Sequence, residues 1–159
     1  MQNLINLLIE NNITISTMES CTGGGIANAI TNIPGASDVF KYGAVTYSNE
    51  YKIKMGVDAD VINKYTVYSI ETAMEMSKNI SKFANSDYGV GVTGQINRQD
   101  KNNIVKDTDK IYVSIYDSNN NKYYNYDLVA DPSLNREQNK VIIINLVIKE
   151  LINIIKNDI

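Results

Sequence analysis

The sequence predicts an α/β protein in which helices cover both faces of a mixed five-stranded sheet, giving a three-layer α/β/α sandwich. Two observations favour this class. Short apolar segments with strand character alternate along the chain with segments whose apolar residues recur at helical spacing. Near the C-terminus, two strand-like segments flank an Asn-rich turn, a pattern typical of an antiparallel hairpin. At 159 residues, 43% of them apolar, the chain is expected to form a single domain over residues 1–159.

The N-terminal half is predicted to combine two strands with several short helices. Residues 2–11 form the first helix, because Leu4, Ile5, Leu7 and Leu8 fall on one of its faces. The other elements are a strand at 13–18, a helix at 24–31, a turn at 33–36, a helical turn at 37–40, a strand at 43–48 and two helices at 49–55 and 58–65, separated by Gly56.

The C-terminal half begins with a longer helix at 70–84, for which Ser69 is a good N-cap and Glu71 suits the positive end of the helix dipole. Asp131 is expected to cap the last helix, with Pro132 at its first position and its end near residue 156. The buried face of the 70–84 helix is predicted to hold Ile70, Ala73, Met74, Ser77, Ile80 and Ala84. Between the two helices we expect a strand at 87–94, a polar loop at 95–108 and hairpin strands at 110–116 and 122–128.

The chain contains no histidine. Ser-His-Asp triads and Cys-His pairs are therefore excluded, as are metal sites built on histidine ligands. The sequence offers no other obvious metal-binding cluster, so neither a metal nor a cofactor is expected. If the protein is a hydrolase, its general base has to be a lysine, a tyrosine, an aspartate or a glutamate.

Charge and hydropathy narrow the classes of partner. The net charge is −3 and lysine and arginine are not clustered, which disfavours nucleic-acid binding because phosphates need a basic surface. The most apolar stretch, at 141–155, is too short to span a bilayer and is interrupted by polar residues, so no membrane partner is expected. The apolar last helix allows a homodimer or a larger homo-oligomer.

Two features predict a soluble cytoplasmic protein. A single cysteine excludes an internal disulfide and fits a reducing compartment. The first basic residue is Lys41, which argues against an N-terminal signal or transit peptide.

Residues 89–94 match the dinucleotide-binding pattern GxGxxG letter for letter. In the Rossmann fingerprint these glycines follow a strand and open a helix, whereas here they fall inside the predicted strand and a polar loop follows. We interpret them as small residues packed beneath a helix. The glycines at 23–25 do not form a P-loop either, because no Gly-Lys-Ser/Thr follows them.

The stretch TISTMESCTGGGIANAI at 14–30 passes from a predicted strand into a helix. Ser20 is expected at the carboxyl end of that strand, where open α/β sheets bind ligands beside the free amides of a helix N-terminus. A nucleophile there has backbone donors for an oxyanion, and the glycines leave room for a substrate. Two other interpretations remain open: Ser20 or Thr22 caps the helix while the glycines ease packing, or Cys21 is the nucleophile.

Six stretches share an order and spacing with a known family: ESCTGGGIA at 19–27, PGAS at 34–37, YGAVTYSNEYK at 42–52, GV at 56–57, VYS at 67–69 and VTG at 92–94. Together they resemble the C-terminal domain of the CinA family, and Arg136 falls where that family has an arginine near the start of its last helix. Stand-alone members are nicotinamide mononucleotide deamidases, also called nicotinamide-nucleotide amidohydrolases. The resemblance implies a three-layer sandwich with one antiparallel strand.

The resemblance also implies an activity, the hydrolysis of nicotinamide mononucleotide to nicotinic acid mononucleotide and ammonia. The family's catalytic serine, tyrosine and lysine map onto Ser20, Tyr47 and Lys52. Lys52 would then be the base for Ser20, with Tyr47 orienting it or relaying the proton. This role requires a lysine pKa lowered from about 10.4 to about 7–8 by desolvation or by neighbouring charge.

We therefore expect Lys52 to lie in a partly buried pocket within reach of Ser20. The alternative is a solvated lysine on a short helix, as expected for Lys54, and Tyr47 is alternatively a sheet aromatic. The oxyanion is expected to bind backbone amides near Cys21 and Thr22. The residues expected to contact the nucleotide substrate are Cys21, Thr22, Gly23, Gly24, Thr93, Gly94 and Arg136.

The match weakens after the third predicted strand. The family usually has a loop of the form Ser/Thr-Gly-Ile-Ala-Gly-Pro there, whereas the stretch 95–110 of this chain has no glycine or proline. Long side chains at Gln95, Asn97 and Arg98 narrow the expected pocket, or Arg98 contacts a substrate phosphate; Lys140 stands where the family often has a second arginine. Two alternatives follow: a catalytically impaired nucleotide-binding or scaffold protein, and an amidohydrolase with a different substrate.

Overall fold

The structure is a computed structural model that describes residues 1–98, 101–103 and 109–159. Within these residues, no helix combines the length and the apolarity needed to cross a membrane. The elements follow one another in the order α1 (Gln2–Glu10), β1 (Ile15–Glu19), α2 (Gly25–Thr31), α3 (Ala36–Val39), β2 (Phe40–Val45), α4 (Asn49–Lys54), α5 (Ala59–Tyr65), α6 (Ile70–Ala84), β3 (Tyr88–Gly94), β4 (Lys110–Asp117), β5 (Lys122–Val129) and α7 (Arg136–Asp158).

The five strands form one mixed sheet in the order β2-β1-β3-β4-β5. Strand β1 pairs parallel with both β2 and β3, whereas β4 is antiparallel to β3 and to β5. Four strands therefore run in one direction and β4 alone runs in the other, which confirms the predicted mixed sheet with one antiparallel strand. Because β1, β2 and β3 are parallel, their carboxyl ends meet at one edge of the sheet.

The helices form a layer on each face of this sheet. On one face, α1, α2 and α7 pack over the larger apolar core, to which β3 contributes Val90 and Val92. On the other face, α6 packs over β3, β4 and β1, and a smaller core contains Met18, Met76 and Ile80. Since the buried apolar surface of the sheet is divided between two helical layers, the predicted three-layer arrangement is confirmed.

The glycines of β3 lie directly beneath α6. Side chains alternate along a strand, so Val90 and Val92 enter the larger core while Gly89 and Gly91 face the helix. A Cβ atom at Gly89 would lie 2.0 Å from the carbonyl oxygen of Ser77, and one at Gly91 would lie 2.3 Å from that of Ala73. This close approach of helix to strand confirms that the GxGxxG letters reflect packing.

The buried face of α6 differs in part from the predicted one. Ser69 caps the helix as expected, because its Oγ accepts a hydrogen bond of 3.2 Å from the Thr72 amide. The fully buried side chains are, however, Thr72, Ala73, Met76, Ser77, Ile80 and Ser81. Small hydroxyl residues suit this face because the strand below is glycine-rich and because their hydroxyls find buried acceptors, as Thr72 does at Thr66 O, 2.7 Å away.

Strand β2 ends earlier than predicted, at Val45 and not at residue 48. Beyond it, Thr46 donates a last sheet-like hydrogen bond of 2.9 Å to Glu19 O, and Ser48 becomes the N-cap of α4. The hydroxyl of Ser48 accepts from the Tyr51 amide at 3.3 Å, so the capping preference of serine outweighs its place in an alternating strand pattern.

The predicted cap of the last helix was wrong. Asn135 caps α7 in a reciprocal capping box with Gln138. Asp131 instead closes a turn of its own, because its Oδ1 accepts from the Ser133 amide at 2.8 Å and from the Ser133 hydroxyl at 2.6 Å. Pro132 therefore lies in this preceding turn and not in the helix.

The contact between α6 and β3 predicts the effect of a single methyl group. We expect Gly91→Ala to lower the free energy of unfolding by about 3 kcal/mol or more, because the added Cβ meets backbone atoms that cannot move independently. Urea denaturation of the purified variant measures this loss. Gly25→Ala is the matched control, since its Cβ meets only the flexible end of Ile144, and we expect a change within about 1 kcal/mol. Equal losses in the two variants would contradict this account.

Candidate active site

A cavity of about 920 Å³ opens beside the carboxyl ends of β1 and β3. This is the edge at which the parallel strands end, and it is where the sequence places its candidate residues. Of those candidates, the cavity is lined by Ser20, Cys21, Tyr47, Lys52, Gly94, Gln95, Arg98 and Arg136.

Ser20 and Lys52 are in direct contact. The Ser20 main chain extends β1, because its amide donates to Val92 O at 3.0 Å. The Lys52 Nζ donates to Ser20 Oγ at 2.9 Å and to Thr46 O at 2.7 Å. Lys52 is also only 2% exposed. The 2.9 Å contact and this burial together confirm its predicted position in a pocket within reach of Ser20.

Local structure explains why Lys52, and not its neighbour Lys54, faces inward. Ser48 begins α4, and the Lys52 amide bonds back to Ser48 O at 3.1 Å, one turn into the helix. Positions two apart on a helix point in nearly opposite directions. When Lys52 enters the cavity, Lys54 is therefore directed outward, where its side chain is 58% exposed and pairs with Glu50.

A buried carboxylate organises the turn after Ser20. Glu19, the last residue of β1, is 1% exposed. Its carboxylate accepts hydrogen bonds from the Thr22 hydroxyl at 2.7 Å, from the Ile26 amide at 2.9 Å and from the Ala27 amide at 3.0 Å. The expectation that Ser20 or Thr22 caps this helix was wrong, because Glu19 binds the first free amides of α2 and offers the helix dipole the negative charge it favours.

Two glycines give the turn its shape. Gly23 and Gly24 have φ values of 62° and 90°, in the left-handed region that other residues rarely adopt. Among the described residues, the amides of Cys21, Thr22 and Gly24 donate no hydrogen bond, whereas those of Gly23 and Gly25 are used within the turn. The amides expected to bind an oxyanion, at Cys21 and Thr22, are thus available next to Ser20.

Cys21 is unsuited to the role of nucleophile. Its side chain is buried, and this burial raises the pKa of the thiol to about 12, although the nearby charge of Lys52 acts in the opposite direction. The thiol is therefore protonated at neutral pH, whereas nucleophilic attack needs the thiolate. Of the two nucleophiles considered from the sequence, the structure favours Ser20.

Tyr47 and Arg136 meet at the mouth of the cavity. The Tyr47 ring is 63% exposed, and its hydroxyl accepts a hydrogen bond of 3.3 Å from Arg136 Nη2. The other terminal nitrogen of Arg136 donates to the carbonyl of Ile96, just beyond β3. The structure thus pairs Tyr47 with Arg136, and a relay of protons through Tyr47 stays a prediction.

Some of the residues predicted to contact substrate do not line the cavity. Thr93 is fully buried, and its hydroxyl donates to Val67 O at 2.6 Å. The Thr22 hydroxyl donates to Glu19, and Thr22, Gly23 and Gly24 are not among the residues that line the cavity. Gly94 lines the cavity, and it also permits close pairing with β4, since an added Cβ would lie 2.6 Å from Ile111 Cα.

The altered loop contributes residues that the sequence pattern did not identify as a group. Arg98 and Lys101 line the cavity together with Arg136 and Lys52, so four basic side chains and one acidic side chain, that of Glu50, lie in its wall. Asn103 bonds to Asn49 at the start of α4 with Nδ2 to Oδ1 distances of 2.9 and 3.3 Å. Residues 99–100 and 104–108 of this loop lie outside the described residues.

The position of Glu19 predicts a structural role that its charge alone does not explain. We expect Glu19→Gln to lower the free energy of unfolding by about 2–3 kcal/mol, because the NH₂ group of Gln replaces one of the two oxygens and turns a donor toward either the Ile26 or the Ala27 amide. Glu71→Gln is the control, since it removes the same charge from the first turn of α6 at a partly exposed position, and it should change stability by about 1 kcal/mol or less. Thermal denaturation of both variants decides, and similar losses would refute the role of Glu19.

The raised pKa of Cys21 predicts low reactivity. At pH 8 we expect iodoacetamide to leave Cys21 unmodified in the folded protein and to modify it after unfolding in urea, because burial disfavours the thiolate. Mass spectrometry of the intact protein measures the added mass. Fast modification of the folded protein would show that the thiol is reactive and would return Cys21 to consideration as the nucleophile.

The chain is similar to known proteins in sequence and in fold. A family model of the CinA C-terminal domain matches residues 1–151. A competence-damage inducible protein of Clostridium novyi (strain NT) is 40% identical over 147 residues, which cover 92% of this chain and 35% of that protein. A protein of the same name from Clostridium beijerinckii is 48% identical over 111 residues, which cover 69% of this chain and 27% of that one. The chain thus spans about a third or less of the length of these relatives.

Solved structures show the same architecture. A CinA superfamily protein from Klebsiella pneumoniae superimposes with a TM-score of 0.88 over 98% of this chain and 95% of that one, at 18% identity, and so shows a shared fold. A competence/damage inducible protein from Agrobacterium tumefaciens superimposes with a TM-score of 0.83 over 96% and 93% of the two chains, at 26% identity. On the match of the family model and of the Clostridium novyi relative, the chain belongs to the CinA C-terminal domain family.

Proposed function

We propose that the protein is an amidohydrolase that deamidates nicotinamide mononucleotide, giving nicotinic acid mononucleotide and ammonia. The observation that carries this proposal is the contact of 2.9 Å between Lys52 Nζ and Ser20 Oγ in the wall of the 920 Å³ cavity. In a chain without histidine, a buried lysine against a serine hydroxyl is the arrangement that supplies both a nucleophile and its base.

Burial suits Lys52 to the role of base. A lysine accepts a proton only in its neutral form, and we propose that Lys52, 2% exposed in the cavity wall, acts in that form. When the amine is neutral, its lone pair can accept the Ser20 O–H along the same 2.9 Å contact. One amine hydrogen still donates to Thr46 O at 2.7 Å, and this bond keeps the nitrogen in place beside Ser20.

The reaction we propose is an acyl transfer in two halves. Lys52 takes the proton of Ser20 as Oγ attacks the carboxamide carbon, and it then delivers that proton to the departing nitrogen, which leaves as ammonia. Water next attacks the acyl-serine ester, Lys52 accepts a proton from the water, and the proton returns to Ser20 Oγ as the acid is released. We propose that the oxyanion formed in each half binds the amides of Cys21, which lines the cavity, and of the adjacent Thr22, since neither amide donates to another described residue.

The substrate class follows from the size and charge of the cavity. A volume of about 920 Å³ lies within the range of small-molecule sites and accommodates a mononucleotide. The protein as a whole is acidic, yet Arg98, Lys101 and Arg136 line this cavity and provide the positive charge that a phosphate needs. We propose that Tyr47 orients the Arg136 guanidinium toward this phosphate through its 3.3 Å contact.

Ammonia release from nicotinamide mononucleotide tests the proposal, with three variants. Ser20→Ala and Lys52→Met should each lower kcat by about 10³-fold or more, because each removes one half of the pair that activates the nucleophile. Lys54→Met is the matched control, since Lys54 lies two residues further along α4 with its charge in solvent, and its kcat should stay within about twofold of the wild type.

The double variant adds a test of the shared role. Residues that act as one unit are not additive, so Ser20→Ala combined with Lys52→Met should be no slower than either single variant. Ammonia release that survives Ser20→Ala would exclude the serine mechanism. Binding of the mononucleotide by the wild type without ammonia release would instead favour the impaired, nucleotide-binding alternative.

A further inference from the structure

The Gln95 side chain is buried in the cavity wall without a partner. It is 4% exposed and lines the same cavity as Ser20 and Lys52. Within residues 1–98, 101–103 and 109–159, neither Oε1 nor Nε2 of Gln95 has a hydrogen-bond partner. Thr46 Oγ1 is also buried without one, but Thr46 does not line the cavity.

An unsatisfied carboxamide is unusual in a folded protein. Buried polar groups nearly always have a partner, and leaving one unpaired destabilises the protein. The Gln95 main chain is itself well anchored, because its amide donates to Lys110 O at 3.0 Å, just where β3 ends. The main chain thus holds this side chain at the cavity, where its donor group and its acceptor have no partner among the described residues and are open to bonding with a ligand.

The position of Gln95 relates it to the reacting group. Ser20 follows β1 and Gln95 follows β3, and these strands are paired, with the Ser20 amide bonded to Val92 O. Both side chains therefore reach the cavity from neighbouring strand ends. A planar group that offers a donor and an acceptor side by side matches the Gln95 amide, and a primary carboxamide is such a group.

We propose that Gln95 binds the primary carboxamide that Ser20 attacks and that it distinguishes the amide substrate from the acid product; this inference rests on the function proposed above. Gln95 Oε1 accepts from the substrate NH₂ group, and Nε2 donates to the carboxamide oxygen. Both hydrogen bonds lie in the plane of the carboxamide. The two faces of its carbon are therefore left open to the Ser20 hydroxyl.

The same pair of atoms disfavours the product. A carboxylate has acceptors but no donor, so Gln95 Oε1 would face a second oxygen with no hydrogen between them. The discrimination would thus come from the two polar atoms of the Gln95 carboxamide, which have no partner among the described residues.

Ligand affinity in a non-hydrolysing background tests this role. With Ser20→Ala as the background, calorimetry should show nicotinamide mononucleotide binding about tenfold more tightly than nicotinic acid mononucleotide. Adding Gln95→Met, which keeps the length and removes both polar atoms, should weaken binding of the amide about tenfold and that of the acid less than threefold. Equal affinities before the substitution, or equal losses after it, would overturn the proposal.

Stability of the unliganded protein gives a second, independent readout. We expect Gln95→Met to raise the Tm by about 2–4 °C, because it replaces an unpaired buried amide by an apolar chain of similar shape. The matched control is Asn139→Leu, because the buried Asn139 amide is fully used, accepting from the Asp131 amide at 2.8 Å and donating to Asp131 O at 3.0 Å. This control should lower the Tm, and a similar fall for Gln95→Met would show that Gln95 is structural.

Two smaller ligands, nicotinamide and nicotinic acid, allow this inference to be tested separately from the proposed function. If the mononucleotides do not bind, thermal shifts with millimolar nicotinamide and nicotinic acid replace calorimetry. A larger shift with the amide that disappears in Gln95→Met supports the inference even if the wild type releases no ammonia. If the wild type releases ammonia but binds neither amide more tightly than the corresponding acid, the proposed function is supported and the inference is overturned.

Discussion

The carboxylate of Glu19 holds the turn on which the candidate site depends. It lies at the junction of β1 and α2, where a strand must end, reverse and become a helix within a few residues, and where the first amides of the helix have no partner of their own. Because Glu19 binds two of those amides and the Thr22 hydroxyl, the glycine turn between them is fixed at both ends. These hydrogen bonds also fix the position of Ser20, the next residue. The amides of Cys21 and Thr22, which donate to no other described residue, are the ones proposed to bind the oxyanion.

Lys52 reaches the site by a different route. The early end of β2 allows Ser48 to cap α4, and the first turn of that helix carries Lys52 back over the end of β1. Two ionisable side chains of the site are thus buried and bonded to the main chain, Glu19 to amides of α2 and Lys52 to the carbonyl of Thr46. These bonds to backbone atoms leave both side chains little conformational freedom.

Much of this fold could be predicted from local pattern, and the reasons are physical. The β3 segment has small and apolar residues on both faces, so it is suited to a central strand, and a hairpin on an Asn-rich turn identifies its own pairing. The predictions were wrong at the ends of two elements, at Ser48 and at Asn135. Short polar side chains cap helices, and when several lie within a few residues the pattern does not show which of them is the cap.

The site was less predictable than the fold. Lys52 and Lys54 are chemically alike and lie only two residues apart on the same short helix, so only the resemblance, and then the packing of α4, distinguishes them. Glu19 gave a weak signal, an acidic residue just ahead of a helix start, that the neighbouring serine and glycines obscured. Gln95 was expected to narrow the pocket, but its lack of a hydrogen-bond partner among the described residues could not be predicted, because that depends on residues distant in the sequence.

The seating of α6 on Gly89 and Gly91 also affects how related chains are recognised. Any protein that places a helix against this strand with so little clearance must keep residues without side chains at alternate positions. A pattern search that reads letters without their structural context will then report a nucleotide fingerprint at this strand, whatever the protein binds. The bend that follows β1, which matches no nucleotide-binding pattern, is the better guide to where chemistry takes place.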